Sequence, residues 1–354
     1  MHYSLQSRFR GALLGAALGE VLGFQCQAHR HPKSSSLSWQ RLEQWGLHPL
    51  EIMPSWSYGR TIVSGLQQLI KHQRWDVATS QLKAVPTLNG TAPPEKSCNL
   101  WDQSIAQHSP PASLIVTLPI ALYFHDDLPQ LRYQVQQAIA VWHPTPDNDE
   151  VQLAALISAY AIALALRHQA NLHTSLVADL IDDLELSQHR LEWVKILTQV
   201  TDLVAQGRGL LSILRTLGHP DKPGSAMTGV AIALGCVLNT PDDFRLSVLQ
   251  AARLPYHPQW VCALVGAFAG AFNGMAGLPL QWRSALHRHP AQSSALMALW
   301  DVKSEAMLVQ LADQLLAVWG GIDQASTEFP GSAGVTRNSS PYRVIAAPDV
   351  IRPR

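Results

Sequence analysis

Apolar residues recur three and four positions apart along most of the chain, over residues 9–22, 62–70, 114–123, 135–141, 151–166, 176–181, 191–204, 210–217, 227–238, 246–252, 261–276 and 307–318. That spacing lines one face of a helix, and hardly any stretch alternates with the period of two that a half-buried strand needs. Proline and glycine fall mostly between the runs, for instance at Pro49, Pro54, Pro110, Pro111, Pro220, Pro255 and Pro258. There the missing N–H and the crowding of the preceding residue end helices. Pro119 lies inside a run and predicts a kink or a helix start. Thr240-Pro241-Asp242-Asp243 before Phe244, and Asp147-Asn148-Asp149-Glu150 before Val151, read as N-caps with first-turn acids. Asp126-Asp127 reads as a further cap, and Asp182-Asp183 as a charged helix face. The pattern predicts an all-α protein, a compact single-domain helical bundle over residues 1–325, followed at 326–354 by an irregular tail rich in Ser, Thr, Gly and Pro. Residues 31–38 and 75–99 read as loops.

Two of the runs share a device. Gly11, Gly15, Gly19 and Gly23 recur every fourth residue, and so do Gly266, Gly270 and Gly274, with alanine at many positions between. Each such glycine costs about 1 kcal/mol in a helix interior relative to alanine, so two striped helices need a compensating gain. Close helix–helix approach supplies it. Such packing serves a core pair with no ligand nearby equally well as it serves a pocket held at the helix ends.

Composition narrows the partners. Hydrophobic residues make up 47% of the chain and charged ones 15%, enough apolar material for one large core. Lys plus Arg and Asp plus Glu balance at 26 each, so no long-range field gathers nucleic acid or anionic lipid, and a small nucleotide-like ligand or a protein partner is expected instead. Cys26, Cys98, Cys236 and Cys262 lie far apart and read as reduced, packed thiols. Residues 1–10 are polar, without the apolar run of a signal peptide, which predicts a soluble protein of the cytoplasm. The stretch 261–280 has a membrane-spanning length and almost no charge. Asn273 and four glycines dilute it and no basic cluster flanks it, so a buried core helix is expected.

The striped segments carry a resemblance. Arg10-Gly11-Ala12-Leu13-Leu14-Gly15-Ala16-Ala17-Leu18-Gly19-Glu20-Val21-Leu22-Gly23 is similar to the opening helix of the ADP-ribosylglycohydrolase family, R-G-A-L-L-G-x-A-x-G-D-A-L-G. Val265-Gly266-Ala267-Phe268-Ala269-Gly270-Ala271-Phe272-Asn273-Gly274, with Gly277-Leu278-Pro279 and Trp282 behind it, resembles that family's late helix and its trailing I-P-x-x-W. Trp142-His143-Pro144-Thr145-Pro146 resembles its T-H-P-x-P element, and residues 113–122 its middle element. Order and spacing agree over residues 8 to 285. The resemblance implies an all-α fold whose cleft holds two magnesium ions and hydrolyses a glycosidic bond of ADP-ribose, with metal ligands from an early T-D-D-T and a late D-x-D-T.

Carried over residue by residue, the early motif falls on Ser57-Tyr58-Gly59-Arg60 and the late one on His257-Pro258-Gln259-Trp260, so neither keeps a carboxylate. Magnesium takes oxygen ligands in near-octahedral geometry, usually with carboxylates to offset its charge. Tyr58, Gly59, His257 and Gln259 offer no formal negative charge and Arg60 adds a positive one, so no metal cofactor is expected, and the Lewis acid goes with it. What the resemblance leaves as a ligand pocket is Glu20, Ser57, Tyr58, Gly59, Arg60, His143, His257 and Gln259. Of these Glu20, His143 and His257 are the remaining candidates for acid–base work. Three readings follow: a ligand- or protein-binding member without the family's reaction, a diverged hydrolase working through Glu20 with His143 or His257, and a structural or interaction protein whose Trp-rich first third, with Trp39, Trp45, Trp56, Trp75 and Trp101, forms an anchor surface.

Overall fold

The computed structural model describes residues 3–28, 57–73, 75, 112–142, 149–167, 172–208, 225–254, 257–286, 295–323 and 343–344. In chain order its helices are α1 (Leu5–Ala28), α2 (Tyr58–His72), α3 (Ala112–Val116), α4 (Leu118–Tyr123), α5 (Leu128–Trp142), α6 (Asp149–Arg167), α7 (Leu172–Asp183), α8 (Leu186–His189), α9 (Leu191–Ala205), α10 (Ala226–Asn239), α11 (Phe244–Arg253), α12 (Pro258–Asn273), α13 (Leu280–Ala285), α14 (Ala295–Trp300) and α15 (Glu305–Trp319). Two residues of the tail region, Arg343 and Val344, pair antiparallel with Ile322 and Asp323, and the remainder of 326–354 lies outside the described residues. The run at 210–217 and the loop at 31–38 also lie outside them.

The centre is the glycine-striped pair. Gly11 stands against the Gly270 carbonyl, Gly15 against Gly266, Gly19 against Cys262 and Gly23 against Pro258, so α1 and α12 run antiparallel with their backbones touching along four turns. A β-carbon at any of the four α1 positions would overlap a carbonyl oxygen of α12. The stripe thus exchanges helix propensity for a dispersion contact that side chains would prop open. Around the pair, α6 and α10 are buried over nearly their whole length, and α2, α11 and α15 cover the flanks. Cys26, Cys236 and Cys262 are buried, and Cys98 lies outside the described residues.

Polar side chains reach between helices to satisfy helix ends. Glu150, in the first turn of α6, accepts from the Ser225 hydroxyl at 2.6 Å and from the Met227 amide at 3.1 Å, and so caps α10. Arg8 of α1 donates to the Ala165 carbonyl near the end of α6 at 2.7 Å. Both take up orphan groups that every helix terminus leaves behind. The Asp243 carboxylate caps α11 by accepting from the Leu246 amide at 2.9 Å, while Thr240 closes α10 instead of opening α11. Asp127 caps α5 through the Gln130 amide at 3.0 Å. Pro119 falls in the first turn of α4, where its missing N–H costs nothing, and the run 114–123 divides there into two helices.

The apolar stretch 261–280 is not one helix: α12 ends at Asn273 and a 3-10 turn follows at Met275–Gly277. Among the described residues, α6 alone is long and apolar enough to cross a bilayer, and 78% of that window is buried inside the protein, as a core helix requires. Trp75, counted with an exposed aromatic surface in the sequence, is buried instead, edge-on to Trp142 with ring centroids 6.3 Å apart. Trp39, Trp45, Trp56 and Trp101 lie outside the described residues.

Candidate functional site

Where the two motif positions meet, the residue that organises the junction is Glu20. It lies on α1 beside Gly19, whose close contact with α12 brings the first turn of α12 alongside, and it is completely buried. Its Oε1 accepts from the Tyr58 amide at 2.9 Å and from Gln259 Nε2 at 3.2 Å, and its Oε2 accepts from the Gly59 amide at 3.0 Å. Tyr58 and Gly59 are the first two residues of α2, so Glu20 caps that helix from another helix, with the carboxylate against the positive end of the dipole. Ser57, the residue at the N-cap position of α2, gives no side-chain cap of its own. Its hydroxyl instead donates to the Leu299 carbonyl, and it also lies within hydrogen-bonding reach of Glu20.

Burial is the dominant force on the Glu20 carboxyl, raising it from 4.5 to about 7 against the pull of the donors from Tyr58, Gln259, Gly59 and Ser57. A folded value above the unfolded one means that the group contributes stability below about pH 4.5 and that this contribution is lost as pH rises through about 7. The shift corresponds to about 3 kcal/mol, undiminished by solvent because the group is fully buried. Urea denaturation of wild type and Glu20→Gln between pH 4 and 8 is expected to show the wild type losing about 3 kcal/mol relative to the variant across that window. A constant difference between the two would show that folding leaves the Glu20 carboxyl at its unfolded value.

The space beside this carboxylate is filled. The indole of Trp300, wholly buried at the end of α14, lies against Gly59 so closely that a β-carbon at 59 would overlap its ring. Among the described residues the buried Trp300 ring nitrogen has no hydrogen-bond partner, a cost accepted in exchange for the packed ring. On the other side Gly229 of α10 makes room for the buried ring of Trp260, which stands at the last position of the late motif. Arg60 turns toward α14, with one terminal nitrogen on the Ala298 carbonyl at 3.1 Å and its Nε buried without a partner.

Of the candidates read from the sequence, Glu20, Ser57, Tyr58, Gly59 and Gln259 converge on one point. Arg60 stands at its edge. His257, half-buried, holds the N-cap position of α12 with a left-handed backbone (φ 35°), and burial pushes its imidazole below the usual range. His143 lies outside the described residues. Nothing in the local sequence pointed to Ala298, Leu299 and Trp300, because the run containing them is six residues long and follows a polar stretch.

The donor set does not fit a pair of magnesium ions. Among the described residues at the junction one carboxylate is present, Glu20, and it already accepts from two backbone amides and an amide side chain. Gly59 offers no ligand, and the volume a ligand there would use belongs to Trp300. Arg60 places a guanidinium at the edge of the junction, on the Ala298 carbonyl. Among the described residues no group of three His, Cys, Asp or Glu side chains is placed to hold a metal ion.

A family model described as ADP-ribosylglycohydrolase matches residues 1–323, so the chain belongs to the ADP-ribosylglycohydrolase family. Among solved structures, one described as an ADP-ribosylglycohydrolase-related protein complex is similar, with 18% identity and a TM-score of 0.54 over 88% of this chain and 98% of that one. At that identity the likeness is one of fold. No curated protein matches the chain.

Proposed function

We propose that this chain is a non-hydrolysing member of its family, in which the family's two-metal site has become a packed junction between helices, and that it acts by engaging a protein partner. The observation that carries the reading is the Trp300 ring against Gly59: an aromatic core residue occupies the volume into which a metal-binding side chain would project. Glu20, the remaining carboxylate, is completely buried and already accepts from the Tyr58 and Gly59 amides and from Gln259, which leaves it poorly placed to take a substrate proton. A nucleotide-like ligand would have to displace Trp300 to enter, which favours a protein partner over a retained nucleotide sensor. The balance of 26 basic and 26 acidic residues agrees with such a partner and with the absence of a phosphate-attracting field.

Calorimetric titration of the purified protein with ADP-ribose, with and without magnesium, is expected to give no binding heat. Incubation with ADP-ribosylated protein and magnesium is expected to release no ADP-ribose. Magnesium-dependent heat or release would overturn the reading, while heat independent of magnesium would replace the protein partner by a nucleotide ligand.

A further inference from the structure

A guanidinium offers Nε and one terminal nitrogen as parallel donors that match the two oxygens of a carboxylate. Arg10 shows the filled form, with Nε 2.7 Å and Nη2 2.6 Å from the two oxygens of Asp313. Arg283 likewise brings its Nε to 2.6 Å from the Glu305 carboxylate. At Arg60 the same two nitrogens are treated unequally: Nη2 donates to the Ala298 carbonyl at 3.1 Å, while Nε is buried and meets no acceptor. Among the described residues no acid forms an ion pair with Arg60. Glu20 accepts from Tyr58, Gly59 and Gln259 instead, and Asp301, next after α14, is exposed.

Capping of a helix end does not account for this arrangement. Arg8 is such a cap: it is enclosed, and its Nη1 reaches the last carbonyls of α6, Ala165 at 2.7 Å and Leu166 at 3.5 Å. Arg60 reaches a single carbonyl, and it is only partly buried, so a ligand can approach it from solvent. The same interface leaves a second donor unmet, the Nε1 of the wholly buried Trp300, whose ring lies on the adjacent Gly59. Arg60 is also the third residue of α2, where the field of the helix N-terminus favours an anion.

We propose that Arg60 is the binding site for a carboxylate carried by a partner protein, either an acidic side chain or a chain terminus. The inference rests on the reading of this chain as a protein-binding member of its family and specifies what the partner presents. A turn of the Arg60 side chain brings Nε out to the solvent edge, where it takes one oxygen of the incoming carboxylate. Nη2 carries two protons, so it holds the Ala298 carbonyl with one and the second carboxylate oxygen with the other. Each bond gained is charge-assisted and roughly twice as strong as a bond between neutral groups. Such recognition acts at contact range and needs no long-range field, in keeping with the balance of 26 basic and 26 acidic residues.

The test follows the Arg60 Nε–H resonance of the full wild-type chain by NMR, assigned through bonds from its own backbone amide, during titration at constant ionic strength. The probes are the α-amide of N-acetylaspartic acid, which presents a side-chain carboxylate, and N-acetylglycine, which presents a terminal one. A saturable downfield shift is expected with at least one of them, and the tighter probe identifies the source. Arg60→Lys keeps the charge but loses the fork, and its affinity, read on the amides of residues 58–61, is expected to fall at least about tenfold. No saturable shift with either probe, or an Arg60→Lys variant that binds as tightly as the wild type, would overturn the site. Tighter binding of inorganic phosphate than of both probes would overturn its assignment to a carboxylate. Neither magnesium nor ADP-ribose enters this titration. A negative result therefore removes the carboxylate site and leaves the proposed function standing, whereas magnesium-dependent release of ADP-ribose removes that function and this inference with it.

Discussion

Gly59→Asp, which restores an aspartate to the family's position, is expected to abolish stable folding, with a loss of more than about 4 kcal/mol in chemical denaturation. Two costs add. The new β-carbon overlaps the Trp300 ring, which is wholly buried and has no free volume to retreat into. The new carboxylate also enters beside Glu20, a like charge in a region where burial already opposes one ionised acid. Trp300→Ala alone is expected to cost about 3–5 kcal/mol through the cavity it leaves. In the double variant the overlap is gone, so Gly59→Asp on the Trp300→Ala background is expected to cost at least about 2 kcal/mol less than on the wild type. Strict additivity in that cycle would mean that Trp300 does not occupy the space of the missing ligand, and would remove the main support for the proposed function.

Gly15→Ala is the second large effect expected, and its sign opposes helix propensity. In an isolated helix the change would gain about 1 kcal/mol. Here the added methyl meets the Gly266 carbonyl oxygen and the Phe244 ring, and Gly266 is itself packed against the Gly15 carbonyl. Backbone on backbone offers no flexible side-chain end to move aside, so the two central helices must separate along their length. The expected loss is about 3 kcal/mol or more, seen as a lowered denaturation midpoint. Gly207→Ala, at an exposed turn with nothing within 4 Å of a β-carbon and a left-handed φ of 63°, is the control. Its loss is expected to be about 1 kcal/mol, from backbone strain alone. Equal effects at the two positions would show that the stripe is not a contact surface.

Much of the architecture is readable from single segments. The periodicity at 307–318 becomes α15, that at 191–204 becomes α9, and Pro119 marks the start of α4. Asp127 and Asp243 cap the helices directly after them, because a capping carboxylate reaches only two or three residues along its own chain. The glycine stripes signal close approach, and α1 and α12 meet along them. α8, α13 and α14, of four, six and six residues, left no periodic trace, since so few residues do not complete two turns of a pattern.

Which residues stand at the positions aligned with the acidic motifs is a matter of residue identity, and the sequence by itself determined it: Tyr58, Gly59, His257 and Gln259 have no carboxylates to give in any fold. What those residues pack against is a matter of distant partners, and only the tertiary structure decided it. In the sequence Glu20 reads as a surviving acid with a chemical task, yet it caps a helix that begins 38 residues away. Gly59 reads as a missing ligand, yet its bare backbone is the seat of Trp300. The physical reason is the same in both cases: a hydrogen bond or a van der Waals fit belongs to whichever groups the packed helices bring together, and no local pattern encodes which those will be.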